Sequence, residues 1–241
     1  MINTYNESSL HKTLKELYAL KENAQTEVLK NNHIYDVLKS DGTIIEIQTK
    51  NLGKLYAKTK DSLNLGLKCT IVHPIATETI IITKDKDGNT LSKRKSPKKN
   101  TIYSIFRELT CIYPLLLENN FKLEVLETII TEERIKTETP VQSKNKQRRF
   151  KKNWNKTDKK LNEVLNTRIF KTKNDYLELL PEGLPEEFTT KEIQILLKQN
   201  KSLPKSAANY TSLMVWVFNK MGLIEQTGTK NRFKTYRIKE N

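Results

Sequence analysis

Asp36 and Glu46 are the residues whose types and spacing point most directly to chemistry. They lie in two apolar runs, Ile34-Tyr35-Asp36-Val37-Leu38 and Ile44-Ile45-Glu46-Ile47-Gln48-Thr49-Lys50, on either side of a turn carrying Asp41-Gly42. An Asp-Gly pair between such runs is the strongest short-range signal for a β-hairpin. With a two-residue turn, Asp36 falls nearly opposite Glu46 or Ile47, and cross-strand neighbours are close enough for two carboxylates to share a divalent cation. Without a cation between them, like charges this close repel. Alternation along the second strand puts Glu46, Gln48 and Lys50 on one face and Ile45, Ile47 and Thr49 on the other. Isoleucines on both sides of Glu46 mark a strand covered on both faces, where a charge is costly unless paired or bound to metal. The plain alternative is an ordinary strand pair with a solvated polar face.

The elements that must position this hairpin follow from periodicity. Residues 8 to 24 read as an amphipathic helix capped by Ser8 or Ser9, with Leu10, Leu14, Leu17 and Leu20 on one face. After the hairpin, Leu52, Leu55, Tyr56, Thr59 and Leu63 recur at helical spacing, and Cys69 to Pro74 form a short buried strand. Glu78 to Thr83 add a further strand before an Asp87-Gly88-Asn89 turn. A helix from about Tyr103 to Leu117 and a strand around Leu123 to Leu126 complete an α/β unit: a central mixed sheet flanked by helices.

An Asp, a tight hairpin and then Glu-x-Gln, with Lys50 two residues on, resembles the active site of the PD-(D/E)XK, or restriction-endonuclease-like, nuclease superfamily. The wider run Glu7-x-x-Leu10-His11-x-x-Leu14-Lys15, Glu46-Ile47-Gln48-Thr49 and Arg94-Lys95-Ser96-Pro97-Lys98 is similar to an uncharacterised bacterial family built on that core. The resemblance covers roughly the first half of the chain. It implies a restriction-endonuclease-like core in which Asp36, Glu46 and the Ile47 carbonyl hold Mg²⁺ or Mn²⁺. It assigns Gln48 to orient the attacking water, Lys50 to supply an ammonium, and Glu7, with Glu27 as rival, as the acid from the preceding helix. Gln48 is the departure, because that position is usually Lys.

Composition bounds the partners. The chain has 241 residues, Lys+Arg 43 against Asp+Glu 28 and a formal net charge of +15, with a pI near 9.6. Such an excess favours a polyanion. One basic run spans Lys93, Arg94, Lys95, Lys98 and Lys99. A second spans Lys144, Lys146, Arg148, Arg149, Lys151, Lys152, Lys156, Lys159 and Lys160, with Phe150 and Trp154 placed either to stack on bases or to anchor the segment. Thr139-Pro140-Val141-Gln142-Ser143 has linker composition. The expected division is therefore a nuclease-like domain over 1–137, a basic linker over 138–160 and a separate module over 161–241. Cys69 and Cys111 sit in apolar surroundings without metal-ligand spacing and read as buried thiols of a reducing compartment. No stretch approaches the roughly 18 apolar residues of a membrane span, and no signal-peptide pattern opens the sequence. A cytoplasmic protein with no membrane partner is expected.

The C-terminal third carries its own signals. Thr189-Thr190-Lys191-Glu192 is a capping box opening a helix with Ile193, Leu196 and Leu197 inward, Pro204 starts a second helix, and a third runs from about Tyr210 to Met221 before Gly222. The turn residues Gly228 to Asn231 then lead into Phe233 to Ile238. Three helices and a basic hairpin resemble a winged helix-turn-helix domain, which implies groove contacts from Asn209, Tyr210, Ser212 and Lys220 and backbone contacts from Lys230, Arg232 and Lys234. Leu213 to Phe218 are apolar almost all round, so this helix is equally suited to pack on a neighbour or to dimerise. The sequence reading is a Mg²⁺-dependent DNA endonuclease, with a homodimer or partner subunit among its possible assemblies. Its alternative is a catalytically inactive DNA-binding or protein-interaction subunit on the same fold.

Overall fold

Ser8 caps the first helix, its hydroxyl accepting a hydrogen bond from the His11 amide, and α1 runs Ser9–Lys21. These positions come from a computed structural model that describes residues 8–143, 146 and 148–239. The buried stripe of α1 is Leu10, Leu14 and Tyr18, while Leu17 and Leu20 are 46% and 86% exposed. Leucine spacing alone placed those two inward. The helix touches the sheet along an i, i+4, i+8 row instead, and Lys15 is buried beside that row.

Seven strands make one mixed sheet: β1 (Gln25–Lys30), β2 (His33–Leu38), β3 (Ile44–Ile47), β4 (Cys69–Lys84), β5 (Thr90–Lys95), β6 (Phe121–Val141) and β7 (Lys152–Phe170). Their order is β1-β2-β3-β4-β6-β7, with β5 pairing with β4. β3, β4 and β6 run parallel, and the remaining pairings are antiparallel. Helix α1 packs on one side with Leu10, Leu14 and Tyr18 against Val37, Ile45, Ile47 and Val72, and α2 (Tyr56–Asn64) follows a short 3-10 turn at Leu52–Leu55 and packs against β4. The architecture is α/β, a large mixed sheet flanked by helices.

β4 joins the two strands expected at 69–74 and 78–83 into one, with a register shift between Ala76 and Glu78. Pro74 is tolerated because β3 stops at Ile47, opposite Val72, and leaves one side of β4 open there. The helix expected over 103–117 is broken into a 3-10 turn at Ile102–Ile105, α3 (Phe106–Leu109) and a second 3-10 turn at Tyr113–Leu115, as Pro114 requires.

The segment 138–160 is not a linker. Residues 138–141 finish β6 and 152–160 begin β7, paired from Val141↔Lys152 and Lys136↔Trp154 back to Leu123↔Phe170. The outer part of this hairpin is largely exposed, so its residues are polar and give no apolar alternation to read. Backbone pairing holds it.

The C-terminal third contains α4 (Lys173–Leu177), β8 (Phe188–Thr189), α5 (Thr190–Gln199), a 3-10 turn at Lys205–Tyr210, α6 (Thr211–Lys220), β9 (Ile224–Lys230) and β10 (Phe233–Ile238). Thr189 and Glu192 form the expected capping box. The second expected helix is only the 3-10 turn, and the hairpin turns at Asn231 and Arg232, both at positive φ, rather than across Gly228 to Asn231. Strands order as β8-β10-β9. One apolar core runs from Ile71, Phe121 and Leu123 of the sheet into Met214, Phe218 and Tyr236, with the Phe106 and Phe218 rings edge-to-face at 5.4 Å. Cys69 is buried as expected, but Cys111 is exposed, because the break after α3 turns it outward.

Candidate active site

The hairpin carrying the two carboxylates closes one residue wider than Asp41-Gly42 alone suggests. Lys39 N–H donates to the Thr43 carbonyl at 2.9 Å and Gly42 N–H to the Lys39 carbonyl at 3.0 Å, so Ser40, Asp41 and Gly42 form a three-residue loop. Gly42 takes φ +81°, the left-handed position such a loop needs. The extra residue sets the register at Leu38↔Ile44 and Val37↔Ile45. Continued by one step, it faces Asp36 with Glu46 and not with Ile47. The Asp36 amide approaches Glu46 Oε1 at 3.4 Å, and the Ile47 amide donates to Asp36 Oδ2 at 2.8 Å.

Both acids are compensated. Glu46 is 5% exposed, and the Lys58 ammonium from α2 lies 2.5 Å from its Oε1. Lys58 is itself held by the Ile34 carbonyl and the face of the Tyr35 ring, whose hydroxyl bonds Ser62 Oγ at 2.7 Å. Burial and repulsion from Asp36 outweigh Lys58 and push the Glu46 carboxyl up to about 7. Burial also acts to raise Asp36, but the His11 imidazole, the Ile47 amide and the Lys58 charge prevail and hold it below the usual carboxylate range. His11 Nε2 lies 3.3 Å from Asp36 Oδ2. One turn along α1, the buried Lys15 ammonium meets Glu27 at 2.6 Å. The two acids of the hairpin therefore titrate apart, an arrangement suited to holding one charge at neutral pH while the other changes.

The chain leaves the strand after Ile47, and this separates the other expected residues from Glu46. The Gln48 side-chain amide donates to the Asn51 carbonyl at 3.2 Å, while the Gln48 backbone carbonyl is 2.6 Å from His73 Nδ1. Lys50 is exposed just before Asn51, which adopts φ +56°. A four-residue strand cannot carry an alternating face as far as Lys50, so the common face expected for Glu46, Gln48 and Lys50 is not formed. Glu27 lies on β1 rather than on a helix, at φ +54°, and Glu7 lies outside the described residues. The partners of the two acids that the sequence did not assign are the Lys58 ammonium and the imidazole of His11. Lys58 stands between buried Leu55 and Thr59, and His11 directly follows buried Leu10. Charges bordering an apolar stripe were the available signal.

Two facing carboxylates are the kind of oxygen donor that Mg²⁺ or Mn²⁺ takes, hard cations that keep several waters and accept one or two carboxylates. No group of three or more His, Cys, Asp or Glu converges on one metal position among the described residues.

The expected nucleic-acid contacts divide by environment. Lys93, Arg94 and Lys95 line exposed β5, with Lys95 paired to Glu78 at 3.0 Å. Arg148 is committed internally: its guanidinium stacks on Trp154 at 3.9 Å opposite Arg134 at 3.7 Å and donates to the Val141 and Trp154 carbonyls. Trp154 is thus an anchor, whereas Phe150 is 62% exposed with Arg149 over its ring. Lys151 and Lys152 are exposed, and Lys144 lies outside the described residues. Tyr210 is 8% exposed with Arg107 over its ring, so it does not present a base-reading edge. Asn209, Ser212, Arg232 and Lys234 are exposed, Lys220 lies over Trp216, and Lys230 lies 3.8 Å from Glu192. No helix among the described residues is long and apolar enough to cross a membrane.

Residues 8–171 match the model of a family described as Domain of unknown function (DUF8091). An "Uncharacterized protein" of Treponema pallidum (strain Nichols) is 34% identical over 187 residues, 78% of this chain and 71% of that protein. No solved structure matches the chain.

Proposed function

The chain belongs to the DUF8091 family, and we propose that it is a metal-dependent DNA endonuclease centred on Asp36 and Glu46. The observation that carries this reading is the hairpin register, which sets two carboxylates face to face in a covered part of the sheet. Asp36, Glu46 and the Ile47 carbonyl would hold Mg²⁺ or Mn²⁺, which when bound lowers the pKa of its water and neutralises charge on a phosphodiester. Lys58 keeps a positive charge beside the pair and takes the part that the resemblance gave Lys50. His11 holds Asp36 ionised and oriented. The mixed sheet with α1 and α2 on it supports a restriction-endonuclease-like core. The α5, 3-10 turn, α6 and β9–β10 sequence supports a winged-helix reading of the C-terminal third. The family match ends at residue 171, beside the end of β7, which supports a division there rather than in 138–160.

The test is incubation of the purified chain with plasmid and linear DNA in Mg²⁺, Mn²⁺ or EDTA. Cleavage that needs metal and is lost in Asp36→Ala and Glu46→Ala supports the reading. Equal cleavage by wild type and both variants overturns it. A second reading, a DNA-binding or protein-interaction subunit without activity, is favoured by Gln48 at the usual lysine position and by the internal pairing of both acids with His11 and Lys58. Metal-independent DNA binding without cleavage in any metal selects it.

A further inference from the structure

A cleft of about 240 Å³ opens where the sheet meets the C-terminal third. Thr49, His73, Lys98, Arg107, Lys159 and Tyr210 line it. Two of its lining residues connect to the candidate active site: Leu10 precedes His11 in the chain, and His73 bonds the Gln48 carbonyl two residues beyond Glu46.

Its charges are not matched. Lys98, Arg107 and Lys159 have no ion pair among the described residues. Arg107 rests on the Tyr210 ring with its guanidinium 5.2 Å from the centroid, a contact that orients the group and leaves its charge intact. Lys159 is partly enclosed, and burial together with the cations of Lys156, Lys50 and Lys98 lowers its pKa against the attraction of Glu132. The acid in the wall, Glu108, accepts the Leu52 amide at 2.8 Å. Cations gathered in this way repel one another, and an anion seated among them removes that cost. An Arg fork, two ammoniums and the hydroxyls of Thr49 and Ser104 match the accepting oxygens of a phosphate better than the two of a carboxylate. At about 240 Å³ the cleft is smaller than the roughly 300–1,000 Å³ of sites that enclose a drug-sized ligand.

We propose that this cleft binds a phosphoryl group of the nucleic acid through Lys98, Arg107 and Lys159, either a strand-terminal monoester or an internal diester next to the linkage at Asp36 and Glu46. The source of the phosphate rests on the nuclease reading, whereas the anion site rests on the unmatched cations.

The experiment is a calorimetric titration of the full chain in EDTA with inorganic phosphate and with one single-stranded oligonucleotide carrying either a 5′-phosphate or a 5′-hydroxyl. Wild type should bind inorganic phosphate, and Lys159→Ala and Arg107→Ala should each weaken it about tenfold or more. Lys159→Gln, which keeps part of the stem and a polar end without the charge, should do the same, so misfolding of the alanine variant does not decide the result. If the 5′-phosphate strand binds at least about tenfold tighter than the 5′-hydroxyl strand, and Lys159→Gln removes the difference, the site takes a terminal monoester. If the two strands bind alike and Lys159→Gln weakens both, it takes an internal diester. Phosphate and both strands binding equally to wild type, Arg107→Ala and Lys159→Gln overturns the proposal. Because EDTA silences chemistry, this result is separate from the cleavage test of Asp36 and Glu46, and either can fail alone.

Discussion

The carboxylate pair and the basic cleft treat charge in opposite ways. At the pair, Asp36 has His11 and the Ile47 amide, Glu46 has Lys58, and neighbouring Glu27 has Lys15. In the cleft, Lys98, Arg107 and Lys159 have no acid partner among the described residues. The first region is complete without a ligand and must be rearranged to accept a cation. The second carries a cost that an anion relieves. The overall charge of +15 does not distinguish them, because it counts Lys58 and Lys159 alike.

Breaking the first region should show most strongly in rate. Asp36→Ala and Glu46→Ala should each lower metal-dependent cleavage by roughly 10³-fold, since a lost metal ligand forfeits several kcal/mol of transition-state stabilisation. Wild-type-like cleavage by either variant would move the chemistry elsewhere.

The next effect is on stability. Lys58→Ala leaves Glu46 buried beside Asp36 without its cation, and removing one partner of a buried pair costs about 3–5 kcal/mol. Urea unfolding at pH 8 should show this loss. At pH 5.5, where Glu46 takes up a proton, the loss should be smaller. A pH-independent loss would mean that Lys58 acts by packing alone.

Glu46 also predicts a pH slope in the unmutated protein. Its folded pKa, about 7, lies above the ordinary glutamate value of 4.5, so the folded chain binds the proton more tightly between those values. Stability should therefore fall as pH rises from about 4.5 to 7 and level off above, by about 3 kcal/mol from this group if the full shift is expressed. Glu46→Gln should remove that slope. A parallel slope in the variant assigns it to other groups.

The smallest effect sharpens the contrast by changing sign. Lys159→Gln takes a cation out of a crowded positive cleft and should raise stability by a few tenths of a kcal/mol to about 1 kcal/mol at low salt, with the gain shrinking as ionic strength rises. Thermal melts of both proteins at two salt concentrations would check it. A destabilised Lys159→Gln at low salt would show that its charge is compensated after all.

How much of this was legible in the chain differs from element to element. The β2–β3 hairpin could be read because its signal is local: apolar runs around Asp41-Gly42. The error was one residue of turn length, which decided between Glu46 and Ile47 as the partner of Asp36. The capping box at Thr189 and Glu192 and the stop at Gly222 were legible for the same reason. The β6–β7 hairpin was not, because its outer half is exposed and its pairing is made by backbone groups that leave no trace in side-chain periodicity. Lys50 was misplaced because alternation was extended past the end of β3, where the Gln48 carbonyl meets the His73 side chain and the chain turns at Asn51.

By itself the sequence determined which residues could face one another across a short turn, where helices begin and end, and that the surface as a whole favours an anion. Those properties depend on neighbours in the chain and on summed charge. Only the tertiary structure decided that Lys58 and His11 meet the acids, that Tyr210 is buried beneath Arg107, and that Lys98, Arg107 and Lys159 meet in one cleft. Burial and Coulomb interaction depend on distance through space. Segments far apart in the sequence meet there only after the sheet has packed against its helices and the C-terminal third.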